Sequence, residues 1–364
     1  MPLHSIHLAL THHCTQRCIM CERWNWMEAK ENKSCKELEE KEIEILVHDL
    51  KNLGINSITL TGGEPTIRED LCRIISLILS QEFHCHLVTN GTLLAKKLDT
   101  LLLVEGIKSK NFGVAVSFLG ADAQIHDKNT RLCGSFDKAL ELLKFLYQKG
   151  IHREIFYTIL PGNFHQIENI LDFACEYEVG YVRYGFLHGF TDVHFTQKDI
   201  EEIQPYLEKI LKIRKRLDKK YPGKKVPKVF LEKLLFDRLL NGEIAPEDLE
   251  RGTLASSILK KGPIFCEYCN TTSFIDPFGN VYPCYYSNFS NQNFAEYSTL
   301  RNKYNMGNIR QMPFSKIWAG EKYQNFLKRI SPIQPADKEL QEEVCSQCIY
   351  CFGFAAKQAK KENK

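Results

Sequence analysis

From residue 5 to about 190 the chain alternates between short apolar, β-branched runs and longer stretches whose apolar residues recur every three or four positions. The short runs read as strands at Ser5–Leu10, Ser57–Leu60, His84–Thr89, Phe112–Phe118, Glu154–Leu160 and Tyr181–Leu187. The longer stretches read as helices. Ile43, Leu46, Val47, Leu50 and Leu53 lead to Gly54, and Ala139, Leu142, Leu143 and Leu146 lead to Gly150; each glycine stands where a helix C-cap is expected. Six such βα repeats predict an α/β fold with a parallel sheet wrapped by helices. Ligands of βα barrels gather on the face formed by the C-terminal strand ends.

Four candidate features fall on that face. After the first strand comes Cys14-x₃-Cys18-x₂-Cys21, with Met20 just before the last cysteine. Three thiolates on one loop can hold three corners of a four-iron cluster and leave the fourth iron open to a ligand. The same spacing could mark one face of a core helix, but Thr15, Gln16 and Arg17 between the cysteines are poor core filling. After the second strand comes Thr61-Gly62-Gly63-Glu64-Pro65, whose glycines permit close backbone approach and whose Glu64 adds a carboxylate; taken alone it could be a plain turn. Thr89-Asn90-Gly91-Thr92 follows the third strand, and Ser117 ends the fourth.

The cysteine triad and Gly-Gly-Glu together resemble the radical S-adenosylmethionine superfamily, with its C-x₃-C-x-Φ-C loop and a Gly-Gly-Glu motif after the second strand. The resemblance implies a partial (β/α)₆ TIM-type barrel. It also implies that the open iron of the Cys14, Cys18 and Cys21 cluster chelates S-adenosylmethionine, and that reductive cleavage gives a 5′-deoxyadenosyl radical able to abstract hydrogen from an unactivated C–H bond. An external low-potential electron donor such as flavodoxin or ferredoxin is then required. On this reading Glu64 accepts from the methionyl ammonium and Arg68 or Arg131 meets the methionyl carboxylate, unless these arginines are merely structural. Asn90 meets the ribose or simply makes a turn. Ser117 resembles the serine of the family's Ser-Leu-Asp-Gly strand end, although this chain reads Ser117-Phe-Leu-Gly120. Arg131 closes His126-Asp-Lys-Asn-Thr-Arg131, one residue longer than the family's His-Asp-x-x-Arg stretch.

Composition narrows the setting. The chain has 364 residues, 43% hydrophobic and 26% charged, with a net charge of +3, an ordinary globular profile. No apolar run approaches the ~20 residues of a membrane span, and the N-terminus lacks a signal-peptide pattern, so a cytoplasmic protein is expected. Disulfides are rare there, and 14 cysteines point instead to metal. Cys35, Cys72, Cys85, Cys133 and Cys175 are scattered and read as ordinary thiols.

Six cysteines lie in the last hundred residues: Cys266, Cys269, Cys284, Cys345, Cys348 and Cys351. Ser273–Cys284 reads as a hairpin with Gly279 at the turn, which brings Cys284 back toward Cys266 and Cys269. Spacing alone admits a zinc ribbon as readily as an iron–sulfur site. The resemblance favours a SPASM or twitch extension, since Cys269, Gly279 and Cys284 match its first half-pattern. Its second half is not met, and six thiolates suit one fully ligated auxiliary [4Fe–4S] cluster, with a second, open one as the alternative.

The domains expected are a barrel core over 1–190, a charged helical linker over 191–260 and a small cysteine-rich α+β extension over 261–364. Between Lys212 and Lys228 nine Lys or Arg face one acid, Asp218, which reads as a solvated surface or as a dock for an acidic partner. The substrate is expected to be a small molecule or a peptide. Since the cysteine loop begins at residue 14, no leader-binding domain is expected ahead of it, which suits a free small molecule or a peptide presented by another chain. A peptide- or protein-modifying maturase is the first alternative. A non-catalytic zinc or iron–sulfur protein that binds nucleic acid through its basic run is the alternative of another class.

Overall fold

The computed structural model describes residues 3–21, 36–93, 97–186, 227–231, 268–284, 302–330 and 336–343, together with 193, 195–196, 198–199, 201–203, 205–206, 209, 217 and 219–223. β1 (Ser5–Ala9), α1 (Glu40–Asn52), β2 (Ser57–Thr61), α2 (Leu71–Ser80), β3 (His84–Thr89), α3 (Leu98–Leu102), β4 (Phe112–Phe118), α4 (Ala123–Thr130), α5 (Ser135–Gln148), β5 (His152–Ile159), α6 (Ile167–Glu176) and β6 (Tyr181–Phe186) succeed one another. Each strand pairs in parallel with the next, giving the expected partial barrel.

Local chemistry sets the helix ends. Glu39 and Glu42 form a reciprocal capping box at the start of α1. At its end Gly54 takes φ +75°, which lets Gly54 N–H reach Lys51 O at 3.0 Å and Ile55 N–H reach Leu50 O at 3.2 Å. Packing then follows strand alternation. Ile6 and Leu8 of β1 join one large core with Ile43, Leu46, Val47 and Leu50 of α1, whereas the intervening register leaves Ala9 in a separate cluster with Phe274 and Tyr282. Each fully buried aliphatic side chain in the large core contributes roughly 1.5–3 kcal/mol.

Two elements extend the sheet beyond the six βα units. β7 (Lys228–Leu231) lies within the stretch expected to be a helical linker, yet pairs in parallel with β6. Its Val229-Phe-Leu231 run is strand-forming, and Pro227 sits just ahead of this edge strand, where a missing N–H is tolerated. At the other edge β8 (Thr272–Ile275) and β9 (Asn280–Tyr282) form the expected antiparallel hairpin around Gly279, at φ +85°. β10 (Gly307–Asn308) pairs with β9, and β8 pairs in parallel with β1. One ten-stranded sheet therefore joins the C-terminal extension directly to the barrel, in the order β10-β9-β8-β1-β2-β3-β4-β5-β6-β7.

α7 (Phe314–Ala319) and α8 (Glu321–Arg329) complete the described part of the extension. Asp49 of α1 accepts from Ser315 N at 2.8 Å and Ser315 Oγ at 2.7 Å, tying the start of α7 to the barrel. Among the described residues, no helix is long and apolar enough to cross a membrane.

Candidate active site

The chain leaves β1 at Leu10 and enters the cysteine loop, which is not helical, so the core-helix reading of the triad fails. Two of its amides cap a helix: Arg17 N–H donates to Thr130 O at 3.1 Å and Ile19 N–H to Asn129 O at 2.9 Å. These are last-turn carbonyls of α4, which have no partner inside the helix. Cys14, Cys18 and Cys21 are all half-buried. Burial pushes the Cys14 thiol up to about 11, helped by the nearby Glu64 and Cys21. Cys18 is raised well above its ordinary value, by burial first and then by Cys21 and Cys14. Left to themselves these thiols stay protonated; a bound cationic metal reverses that preference, because coordinated thiols are deprotonated.

The donor set fits an iron–sulfur cluster. Three thiols on one short loop are the ligand type such clusters take. Gln16, only 5% exposed, lies between the thiols. Its Oε1 accepts from Cys18 Sγ at 3.2 Å, its backbone N–H points at Cys14 Sγ at 3.5 Å, and its Nε2 has no hydrogen-bond partner among the described residues. A buried amide donor without an acceptor, beside the Cys14 and Cys18 sulfurs, suits a site meant to hold negative charge.

The Gly-Gly-Glu loop packs directly on this one. Gly63 N–H donates to Thr11 O at 2.6 Å and Glu64 N–H to His13 O at 2.7 Å. A Cβ on Gly62 would lie 2.3 Å from Thr11 O, and one on Gly63 would lie 2.2 Å from His13 O. The close approach that these glycines allow is therefore to the cysteine loop's own backbone.

Glu64 and Arg68, expected to meet the methionyl ammonium and carboxylate, both have partners inside the protein. Glu64 does not present its carboxylate to the rim: it is 1% exposed and already holds four donors. Its Oε1 accepts from Thr66 N (3.1 Å), Thr66 Oγ1 (2.5 Å) and Thr89 Oγ1 (2.6 Å), and its Oε2 from Asn90 N (2.7 Å). Burial raises its pKa, and these four donors oppose that rise. Arg68 is engaged as well. Its Nε and Nη2 grip Asp70 at 2.8 and 2.6 Å, while Nη1 donates to Leu10 O at 3.1 Å and Leu38 O at 2.8 Å. Arg68 is a brace between the first two loops.

Asn90, 8% exposed, faces the cysteine loop. Its Nδ2 lies 3.6 Å from Cys14 Sγ and 3.2 Å from Thr15 Oγ1. Ser117 is half-buried at the end of β4. Met20 is half-buried against the core. Arg131 is exposed at the end of α4 with φ +55°; its guanidinium makes no hydrogen bond or ion pair among the described residues, yet lies near enough to lower the Cys18 pKa. The neighbouring Asp127 is structural, accepting from Gly134 N, Phe136 N and Ser135 Oγ at 2.6 to 2.9 Å.

One polar group in the barrel interior was missed from sequence. Glu154, on the face of β5 opposite the core-facing Ile155, meets Arg183 Nε at 2.9 Å and the Nε2 atoms of His86 and His152, each at 3.4 Å. Burial works against its ionisation, but contacts with His152, His86 and Arg183 outweigh it and hold the carboxyl well below its ordinary range. His7 is lowered to about 4 by burial, then by His86 and Arg183. Barrel interiors are normally filled by Val, Ile and Leu. Ala115 pairs with Glu154, and Ser117 two residues on, so the polar layer lies about 7 Å below the rim. The signal was histidine and charge at alternate positions of otherwise apolar strands.

Cys269 and Cys284 lie at the other end of β1. Thr272 pairs with Ser5, so Cys269 lies beyond the start of β1, and the register of β9 brings Cys284 to the same end. Both are buried. Tyr323 of α8, wholly buried, is raised by burial and lies close enough to feel Cys269 and Cys284; its hydroxyl has no aligned hydrogen-bond partner, although Ser273 is near. A buried donor beside two thiols fits an auxiliary cluster there. Cys266, Cys345, Cys348 and Cys351 fall outside the described residues. Of the scattered thiols, Cys72, Cys85 and Cys175 are buried and Cys133 is exposed, while Cys35 lies outside the described residues.

Comparison with known proteins agrees with this layout. Residues 8–174 match the model of the radical SAM superfamily, and residues 266–349 match SPASM, an iron–sulfur cluster-binding domain. The chain belongs to the radical SAM superfamily and carries a C-terminal SPASM domain. It is an enzyme whose cofactors are S-adenosylmethionine, a [4Fe–4S] cluster and auxiliary iron–sulfur. A probable GTP 3′,8-cyclase of Saccharolobus islandicus is 29% identical over 225 residues, 60% of this chain and 69% of that one. The Fe-coproporphyrin III synthase of Methanosarcina barkeri is 25% identical over 318 residues, 85% of this chain and 72% of that one. The crystal structure of Streptococcus suis SuiB bound to precursor peptide SuiA has a TM-score of 0.62 at 16% identity, over 97% of this chain and 71% of that one. A non-catalytic nucleic-acid-binding protein is not favoured.

Proposed function

We propose that Cys14, Cys18 and Cys21 ligate the open-iron cluster, and that the enzyme abstracts a hydrogen atom from a peptide or small molecule with net two-electron oxidation. The observation that carries this reading is the placement of the cysteine triad and of Cys269 and Cys284 at opposite ends of β1, with the polar barrel interior beside that strand. When bound, the cluster and S-adenosylmethionine supply a 5′-deoxyadenosyl radical, which takes hydrogen from an unactivated C–H bond. Arg131 offers an uncommitted guanidinium for the methionyl carboxylate. The backbone of Gly62 to Glu64 borders the same rim and holds the cysteine loop in register. Ser117 and the layer of His7, His86, Glu154 and Arg183 below it orient the substrate by hydrogen bonding. Cys269 and Cys284 would help hold an auxiliary cluster able to accept the second electron of the substrate's oxidation, the first leaving with the abstracted hydrogen atom; a low-potential donor such as flavodoxin or ferredoxin would supply the electron that cleaves the cofactor.

A peptide substrate is the reading we favour, because SuiB, which shares the fold over 97% of this chain, is known with a bound precursor peptide. The relatives named for GTP and coproporphyrin support a small molecule as the second reading. Comparative mass spectrometry of peptides and metabolites, with and without the active protein, separates them. The substrate found should then be deuterated at its reacting carbon. Deuterium in 5′-deoxyadenosine is the expected result; methyl transfer with S-adenosylhomocysteine as sole coproduct would overturn the proposal.

A further inference from the structure

Asn90 is held in one orientation by a closed ring of hydrogen bonds. Thr92 N–H donates to Asn90 Oδ1 at 3.0 Å, which identifies Oδ1 as the acceptor and settles which side-chain atom is nitrogen. Thr92 Oγ1 donates to the same Oδ1 at 2.7 Å. Thr92 Oγ1 must then accept from Thr15 Oγ1, 2.6 Å away, and Thr15 Oγ1 in turn accepts one proton of Asn90 Nδ2 at 3.2 Å. The ring uses one Nδ2 proton. The second points at Cys14 Sγ, 3.6 Å away.

The backbone of the same residue is fixed as firmly. Glu64 Oε2 accepts Asn90 N–H at 2.7 Å, and Glu64 Oε1 accepts from Thr89 Oγ1, which itself accepts from Gly91 N at 3.0 Å. The loop after β3 is thus pinned from two sides, and both pins lead to one donor aimed at one sulfur. Gln16 adds a backbone N–H toward that sulfur at 3.5 Å.

We propose that Asn90 is a positioning residue that donates a hydrogen bond to the Cys14 sulfur, oriented for this by Glu64, Thr92 and Thr15, and that it raises the reduction potential of the cluster held there. A donor to a ligand sulfur stabilises the extra negative charge of the reduced state, and such hydrogen bonds are among the levers that set cluster potentials. On this account the Glu64 carboxylate acts on the cluster through Asn90. The inference rests on Cys14, Cys18 and Cys21 being the ligands.

The test is a reduction titration of the full-length, anaerobically reconstituted enzyme followed by electron paramagnetic resonance. The open-iron cluster is identified by the change in its signal on adding S-adenosylmethionine. Asn90→Asp keeps an acceptor toward Thr92 but replaces the donor with negative charge at the sulfur; Asn90→Leu removes the donor without adding charge and also removes the acceptor for Thr92. At a fixed potential near the midpoint, the ratio of reduced to oxidised cluster should fall at least tenfold in Asn90→Asp, equivalent to 59 mV, and by less in Asn90→Leu. An unchanged midpoint in both variants overturns the proposal. A wild-type protein lacking any S-adenosylmethionine-responsive signal would instead overturn the ligand assignment. Should the variants fail to take up iron, hyperfine spectroscopy of wild-type enzyme made with side-chain amide ¹⁵N-asparagine decides. A nitrogen coupling to the reduced cluster is expected, and its absence contradicts the hydrogen bond.

Discussion

Arg310 grips Glu42 through two nitrogens, Nε at 2.6 Å from Oε1 and Nη2 at 3.0 Å from Oε2. The same guanidinium donates to Lys36 O at 2.9 Å and Glu37 O at 3.0 Å. Glu37 Oε1 in turn accepts from Thr11 Oγ1 at 2.8 Å and His12 N at 2.9 Å, at the entrance to the cysteine loop. One arginine of the C-terminal extension therefore braces the segment that supports the candidate cluster loop. Arg310→Ala should cost on the order of 1–2 kcal/mol, since the pair is bidentate and only partly exposed. Hydrogen exchange checks this directly: the His12 amide should lose protection in the variant, while the amides of β4 should not.

Arg68 separates a brace from a ligand-binding group. Arg68→Ala leaves Asp70 and two loop carbonyls without their donor, so the thermal midpoint should fall and cluster incorporation should suffer. In the fraction that retains its cluster, S-adenosylmethionine affinity should stay within about twofold of wild type by calorimetry. Arg131→Ala should show the reverse pattern, with unchanged stability and at least tenfold weaker cofactor binding, equivalent to about 1.4 kcal/mol.

Gly63 admits no side chain. Because its Cβ would lie 2.2 Å from His13 O and 2.5 Å from His12 O, Gly63→Ala must push the two loops apart. Iron content of the reconstituted protein should drop by about one cluster, with the far-ultraviolet circular dichroism of the barrel retained. Gly134→Ala meets nothing within 4 Å, so it serves as a control for strain alone, given its φ of +74°.

Acid lability should carry a histidine signature. His126 is 1% exposed, and burial lowers it from 6.5 to about 4, with Nδ1 accepting from Leu119 N. As pH falls the unfolded chain takes up this proton first. The stability of the neutral buried ring is complete above about pH 6.5 and is lost toward pH 4, at up to about 1.4 kcal/mol per pH unit. His126→Asn keeps an acceptor for Leu119 N–H without the titration. Unfolding followed between pH 7 and 5 should show a shallower pH dependence for the variant, by nearly one proton; equal slopes would exclude His126 as a source.

Much of this was written in the sequence because its signals were local. The strands His84–Thr89 and Phe112–Phe118 come out as the alternation of residues predicts, and Gly54, Gly150 and Gly279 take the positive φ their places imply. What escaped depends on partners distant along the chain. Glu64 looks like a free carboxylate until Thr66, Thr89 and Asn90 close around it, and Arg68 looks exposed until Leu10 and Leu38 supply carbonyls. Glu154, His86 and Arg183 meet only because the strands carrying them close into a barrel. β7 was hidden by the lysines around it, whose charge outweighed three strand-forming residues.

The central claim is that the Cys14, Cys18 and Cys21 loop holds the cluster at which S-adenosylmethionine is cleaved. The most direct measurement is 5′-deoxyadenosine release by reconstituted wild type, Cys14→Ala and Cys284→Ala under a strong reductant without substrate. The account predicts formation by wild type and by Cys284→Ala, the latter with roughly one cluster's iron fewer, and none by folded Cys14→Ala. Formation by Cys14→Ala at a rate near wild type would contradict it.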